Sequence, residues 1–328
     1  MGYDMPMNRL FPPEGLRPPA AYALQDLRDA MESGAILEGT VQRCDTARTL
    51  HVPLGSVSGQ IPKGEAVAPW ISGAGRDIAL LSRVGRTVCF TVQAIHADEK
   101  GAPVALLSRR KAQERAMDHF LASLEPGAVL TCRVTRLETF GVFLDIGCGI
   151  TALLPIERVS VSRISHAAQR FREGDKILAA VWSIDRERRR ITMTHRELLG
   201  TWMENASRFQ PGETVRGIVR SVKEYGSFIE LAPNLSGLAD AREGLAPGDG
   251  VSVFIKSIRP ERMKIKLHVI ERLPPPPEPE PLHYQITDGC LDRWVYSPPG
   301  YEKETVETVF LPLAGSSAGE EALTAPGP

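Results

Sequence analysis

Long apolar runs are missing from this 328-residue chain. No stretch approaches the roughly 20 residues that cross a bilayer, and the first residues, with Asp4, Pro6 and Arg9, lack the apolar core of a secretory signal. Cysteine is sparse: Cys44, Cys89, Cys132, Cys148 and Cys290 are scattered, odd in number and never spaced as C-x-x-C. That excludes a disulfide framework or a zinc knuckle and leaves reduced thiols in a cytoplasmic, membrane-free protein as the expectation. Catalytic signatures are also absent. His51, His96, His119, His166, His195, His268 and His283 never fall at H-x-x-x-H or H-E-x-x-H spacing, and neither G-x-S-x-G nor a phosphate-binding loop occurs. No enzyme activity, metal or cofactor is expected.

A dominant charge is lacking too, since the formal net charge is −1. Its distribution is uneven. From Pro274 onward nine acidic residues meet two basic ones, for −7, so the preceding 273 residues carry +6. A mildly basic body suits weak binding of a polyanion.

A repeat organises the body. Leu124-Glu125-Pro126-Gly127 returns as Phe209-Gln210-Pro211-Gly212, 85 residues later, and seven residues after each glycine stands a valine, Val134 or Val219. Phe140-Gly141-Val142-Phe143-Leu144 then returns as Tyr225-Gly226-Ser227-Phe228-Ile229 at the same offset. A fainter copy begins at Gly34, with Val41 seven residues on. In the second copy, short strand-like runs at about 129–137, 141–147, 150–155, 176–184 and 190–194 are punctuated by glycine turns. Five short strands in about 70 residues predict a small closed barrel, because closure removes exposed edges. The fold class is therefore mainly β. It comprises an N-terminal extension and helix (1–33), a degenerate barrel (34–108), a linker helix (109–123), a barrel (124–194), a second linker helix (195–208) and a short barrel (209–273). Residues 274–328 form a Pro-rich linker, expected as stiff polyproline II, and a largely disordered acidic tail in which Tyr284, Trp294, Tyr296 and Phe310 could dock.

Aromatic residues are only 6% of the chain, so their placement is informative. Strand alternation puts Val142, Leu144 and Ile146 on the core face and Gly141, Phe143 and Asp145 outward. The third copy sends Ser227, Ile229 and Leu231 inward and Gly226, Phe228 and Glu230 outward. Phe140 and Tyr225 precede the glycines, which are expected to leave open surface between the rings. On the last strands Arg190, Lys264 and Lys266 face outward. Rings beside cations suit single-stranded nucleic acid, with bases on the rings and phosphates on Lys or Arg.

These motifs resemble the S-one RNA-binding domain, an oligonucleotide-binding (OB) fold carried in tandem by a bacterial small-subunit ribosomal protein. The second copy matches through Phe140-Gly141-Val142-Phe143-Leu144, Ala152-Leu153-Leu154-Pro155, Gly174-Asp175, Ile184-Asp185 and Arg190-Ile191-Thr192-Met193-Thr194. The third matches through Tyr225-Gly226-Ser227-Phe228-Ile229, Gly237-Leu238-Ala239-Asp240, Gly248-Asp249 and Lys264-Ile265-Lys266-Leu267. The resemblance implies RNA contacts from Phe140, Phe143, Asp185, Arg190, Tyr225, Phe228 and Lys264. Pro155 and Asp240 stand where many members have His, and Asp240 would repel phosphate and weaken the third copy. In the first copy Arg48, His51 and Val104 fall at the positions of Phe140, Phe143 and Arg190, so a barrel with a poor grip on RNA is expected there.

The leading reading is a monomer that binds single-stranded RNA, such as mRNA, in translation or RNA turnover, with the first barrel meeting the ribosome or another protein. The alternative is a non-catalytic protein-interaction scaffold. Burial of both Phe143 and Phe228 under a neighbouring barrel would favour the alternative.

Overall fold

The computed structural model describes residues 10–17, 20–71, 76–274 and 281–310. Most of the Pro-rich run, at 275–280, and the end of the acidic tail, at 311–328, lie outside the described residues.

The first unit contains α1 (Leu24–Ser33), β1 (Ile36–Thr40), β2 (Arg43–Cys44), β3 (Leu50–Pro53), β4 (Ser58–Ile61), α2 (Asp77–Leu81), β5 (Thr87–Ala97) and β6 (Pro103–Ser108). Then comes α3 (Arg109–Ser123), followed by β7 (Val129–Glu138), β8 (Gly141–Asp145), β9 (Thr151–Pro155), β10 (Lys176–Asp185) and β11 (Arg190–Thr194). After α4 (Trp202–Ala206), the third unit is β12 (Thr214–Lys223), β13 (Gly226–Ala232), β14 (Leu235–Ala239), β15 (Gly250–Arg259) and β16 (Lys264–Leu273). The strands β17 (Arg293–Val295) and β18 (Glu307–Val309) form a separate small sheet.

The second and third units are closed five-stranded barrels with the same strand connections. The first has a six-stranded sheet ordered β1-β5-β6-β4-β3-β2. This is the same circular order with the first strand split at Val41 and Gln42. The break falls where the other barrels bulge, between Val134 and Arg136 and between Val219 and Ser221. In all three, the amide of the repeated valine donates to the turn that opens the fourth strand: Val41 to Arg86, Val134 to Asp175 and Val219 to Asp249, at 2.9–3.0 Å. A bulge bends its strand and increases the local twist, as a small barrel requires.

Inward β-branched and aliphatic residues fill each barrel. Val134, Val142, Leu144, Leu154 and Met193 are buried together in the second, and Val219, Ile229, Val253, Ile265 and Leu267 in the third. Helix α3 is capped by Ser108, whose hydroxyl accepts from the Lys111 amide. Its face of Ala112, Ala116, Met117 and Phe120 packs into the core of the second barrel. The helix expected over 195–208 is interrupted: a 3-10 turn, Arg196–Leu199, is separated from α4 by Gly200 at φ +84°.

The stretch 281–310 is a strap rather than a loose tail. Trp294, Tyr296 and Phe310 are buried. The Tyr284 hydroxyl accepts from the Leu178 amide at 3.2 Å and lies 3.1 Å from His195 Nε2. The Val129 amide donates to Gly289 and the Tyr296 hydroxyl donates to the Asn234 carbonyl, so the strap holds both the second and third barrels. Burial of these three rings, with Tyr284 partly covered, offsets the ordering entropy that the acidic composition alone would leave unopposed.

The outward acids of β8 and β13 are both buried at junctions between barrels. Asp145 accepts from the amides of Glu14, Gly147 and Gly149 at 2.8–3.0 Å. Beside it, Arg109 grips Glu14 with two bonds of 2.7 and 2.9 Å. Burial pushes Asp145 up to about 7, helped by the nearby Glu14 charge. Burial also opposes ionisation of Glu14, but Arg109 outweighs it and holds that carboxyl below its ordinary 4.5. At the next junction Glu230 takes Arg170 of the second barrel at 2.5 Å and Arg220 of its own at 2.8 Å, all three at most 7% exposed.

Between about pH 4 and 7 the folded chain keeps the Asp145 proton that an unfolded chain has released, so this group lowers stability as pH rises across that window. Glu14 acts oppositely, losing its stabilisation as pH falls below its ordinary 4.5. Urea unfolding at about pH 5.5 and about pH 8 should therefore show a smaller decline for Asp145→Asn than for the native chain. Glu230→Gln leaves two buried guanidinium groups without their carboxylate and should cost about 3–5 kcal/mol in the same measurement.

Candidate nucleic-acid interface

Each barrel presents one outward row across its strands. In the second, pairing aligns Arg136, Phe143, Leu153 and Thr192. In the third it aligns Ser221, Phe228, Leu238 and Lys266. In the first it aligns Arg43, His51, Gln60 and Leu106. One frame therefore carries three different chemistries.

Phe140 is 53% and Tyr225 67% exposed, while Phe143 and Phe228 are half-buried. Phe140 meets Phe143 edge to face at 6.0 Å, and Tyr225 meets Phe228 likewise at 6.3 Å. Each pair thus offers ring surface at roughly right angles. The intervening glycine does not open that surface, contrary to expectation. Gly141 and Gly226 are buried, and an added Cβ would lie 2.4 Å from the Leu154 carbonyl or 2.3 Å from the Ala239 carbonyl. These glycines let the second and third strands approach closely.

Lys266 shares the row of Phe228, whereas Arg190 and Lys264 sit one outward position away, at the hairpin ends opposite Asp185 and Arg259. Among the neighbouring arginines, Arg186 donates to the Leu121 carbonyl, Arg188 pairs with Asp185, and Arg189 pairs with Asp118 while covering Trp70. Arg190, Lys264 and Lys266 are exposed and have no hydrogen bond or ion pair among the described residues. Asp185 shapes its turn: the Arg188 amide donates to it at 2.9 Å and holds its carboxyl below the usual range.

Two features escaped the sequence reading. The Arg136 guanidinium lies 5.1 Å from the Phe143 ring centre, placing a cation on the platform itself. Alternation from Cys132 and Val134 would send Arg136 inward; the bulge after Val134 turns it out beside Phe143, and the local pattern carries no signal of that. Asp240 is not an isolated repulsive charge, because Lys256 Nζ pairs with it at 2.9 Å and holds its carboxyl low. On the first barrel, Arg48 is taken by Asp77 at 2.7 Å and His51 by Asp45 at 2.8 Å. Val104, paired with Ser58, is 5% exposed. That face has neither a platform nor a free cation at the matching positions.

Among the described residues no cluster of His, Cys, Asp and Glu could hold a metal, all five cysteines are free, and no helix is long and apolar enough to cross a membrane.

Residues 123–196 match the family model of the S1 RNA binding domain. The chain is 27% identical over 285 residues to the small ribosomal subunit protein bS1 homolog of Bacillus subtilis (strain 168), covering 81% of this chain and 71% of that protein. It is 30% identical over 200 residues to small ribosomal subunit protein bS1 of Leuconostoc lactis, covering 56% and 46%. The figures for the Staphylococcus aureus (strain COL) protein are 28% over 206 residues, 58% and 52%. The chain thus spans about half the length of the latter two relatives. Among solved structures, a multidomain protein with nucleic acid binding domains from Streptococcus pneumoniae TIGR4 is 16% identical, with 72% of this chain and 73% of that one covered and a TM-score of 0.25. The second barrel thus matches the S1 RNA binding domain, and the chain as a whole is similar to the bacterial small ribosomal subunit protein bS1.

Exposed rings contribute little to folding. Phe140→Ala and Tyr225→Ala should each change unfolding free energy by no more than about 0.5 kcal/mol, against about 1–3 kcal/mol for Gly141→Val, which forces a side chain into the Leu154 carbonyl. Urea titration of the three variants checks the contrast.

Proposed function

We propose that this chain binds single-stranded RNA through the outward rows of its second and third barrels. The observation that carries the reading is the repeated, exposed ring pair, Phe140 with Phe143 and Tyr225 with Phe228, each on a face with an unpartnered cation. Bases stack on the rings, and Arg190, Lys264 and Lys266 meet phosphates. Asp185 contributes by holding the Arg188 turn beside Arg190. Stacking is worth about 1–3 kcal/mol per base and tolerates any sequence, so binding is loosely selective and weakened by salt. Two barrels joined by a short, strapped connection raise the effective concentration for the second contact. No step requires catalysis or a cofactor.

The relatives are named as small ribosomal subunit proteins, which supports a cytoplasmic role in translation on mRNA. The first barrel, whose matching face is occupied by its own ion pairs, would then contact the ribosome or another protein. The chain acts as a monomer, since closed barrels leave few unpaired edges. The partial exposure of Phe143 and Phe228 favours RNA over the scaffold alternative.

Fluorescence anisotropy with a labelled RNA of about fifteen nucleotides tests this. Phe140→Ala/Phe143→Ala and Tyr225→Ala/Phe228→Ala should each weaken binding at least about tenfold, the loss of one to two stacked bases. Lys256→Ala should weaken it less, by exposing the Asp240 charge. No binding by the native chain at low salt would reject the reading and favour the scaffold.

A further inference from the structure

A cleft of about 340 Å³ opens between the first and second barrels, away from the ring pairs. Arg83 and Arg86, in the turn before β5, and Arg133, on β7, line it with Glu14, Asp145 and Glu173. Equivalent turns of two successive repeats meet here: Gly85 donates to Val41 and Gly174 donates to Val134, both at 2.8 Å. The cleft is therefore built by the junction, and neither barrel alone supplies it.

The acids are largely committed. Arg109 holds both oxygens of Glu14, and Asp145 is occupied by three backbone amides. Glu173 stands exposed at the rim. Arg133 donates to the Glu14 carbonyl at 2.7 Å and is fixed in place. The Arg83 and Arg86 side chains make no hydrogen bond or ion pair among the described residues, and the Arg83 Nε is buried without an acceptor. Leaving such a donor unsatisfied is unfavourable. A guanidinium fork matches the oxygens of a tetrahedral anion, and a volume near 340 Å³ exceeds what a bare phosphate needs and falls in the range of small-ligand sites.

The geometry points to a second site in this cleft, which takes a phosphate carried on a nucleotide and binds it through Arg83, Arg86 and Arg133. The phosphate belongs either to the RNA strand as it runs from the second barrel onto the first, which rests on the RNA reading above, or to a free nucleotide. In the RNA case the first barrel contributes to the grip without any aromatic platform.

The test titrates the full chain with adenosine 5′-monophosphate, with a six-nucleotide RNA and with an eighteen-nucleotide RNA. Native protein is compared with Arg86→Gln, with Arg83→Gln/Arg86→Gln and with Phe140→Ala/Phe143→Ala. Arg86 is exposed, so its substitution leaves the junction intact. For an RNA phosphate, the eighteen-mer weakens about threefold or more in both arginine variants, its salt slope falls by about one per arginine removed, and the six-mer is unchanged. For a free nucleotide, adenosine 5′-monophosphate binding weakens at least about fivefold in the arginine variants and is untouched by loss of the rings. If neither the nucleotide nor either RNA responds to Arg83→Gln/Arg86→Gln, the proposal is overturned. Failure of the RNA reading has a different signature: RNA binding indifferent to the ring variants.

Discussion

The two-residue period of the second strand in each barrel sets what every other part can do. Val142 and Leu144 must enter the core, which forces Phe143 and Asp145 outward; Ile229 and Leu231 impose the same on Phe228 and Glu230. A one-residue slip would bury the rings and expose the core. The bulge at the repeated valine and the close approach at Gly141 or Gly226 keep that strand in register.

The outward residues then divide the work by position. The acid two residues beyond the ring faces the preceding unit. Asp145 seats the N-terminal segment and the first barrel, and Glu230 seats the loop that carries Arg170. The ring itself stays in the next row, clear of the junction. The docking acid and the exposed ring thus use neighbouring rows of one strand. In the first barrel the matching position holds Pro53, which is exposed.

Much of this was legible in the sequence because it depends on short-range order. Alternation around Phe143 and Phe228, the 85-residue offset and the loss of rings at Arg48 and His51 need only spacing and residue type. What local pattern does not carry depends on residues far apart in the chain. Glu230 meets Arg170 across 60 positions, and Glu14 meets Arg109 across 95, so their burial could not be read from local pattern. The rings of 281–310 mark it as able to dock, but where it docks depends on distant partners: Tyr284 reaches Leu178 across 106 positions. Nor does local pattern show that Gly141 is closed over, because the opposing Leu154 carbonyl belongs to another strand.

The central claim is that the second and third barrels hold RNA on their ring pairs while the matching face of the first does not. Ultraviolet cross-linking of the native chain to a uniform single-stranded RNA, followed by peptide mapping, tests it most directly. Cross-links concentrated at Phe140, Phe143, Tyr225 and Phe228, and absent from the face carrying Arg48 and His51, are the predicted result. Cross-links on the first-barrel face with none on the four rings would contradict the account.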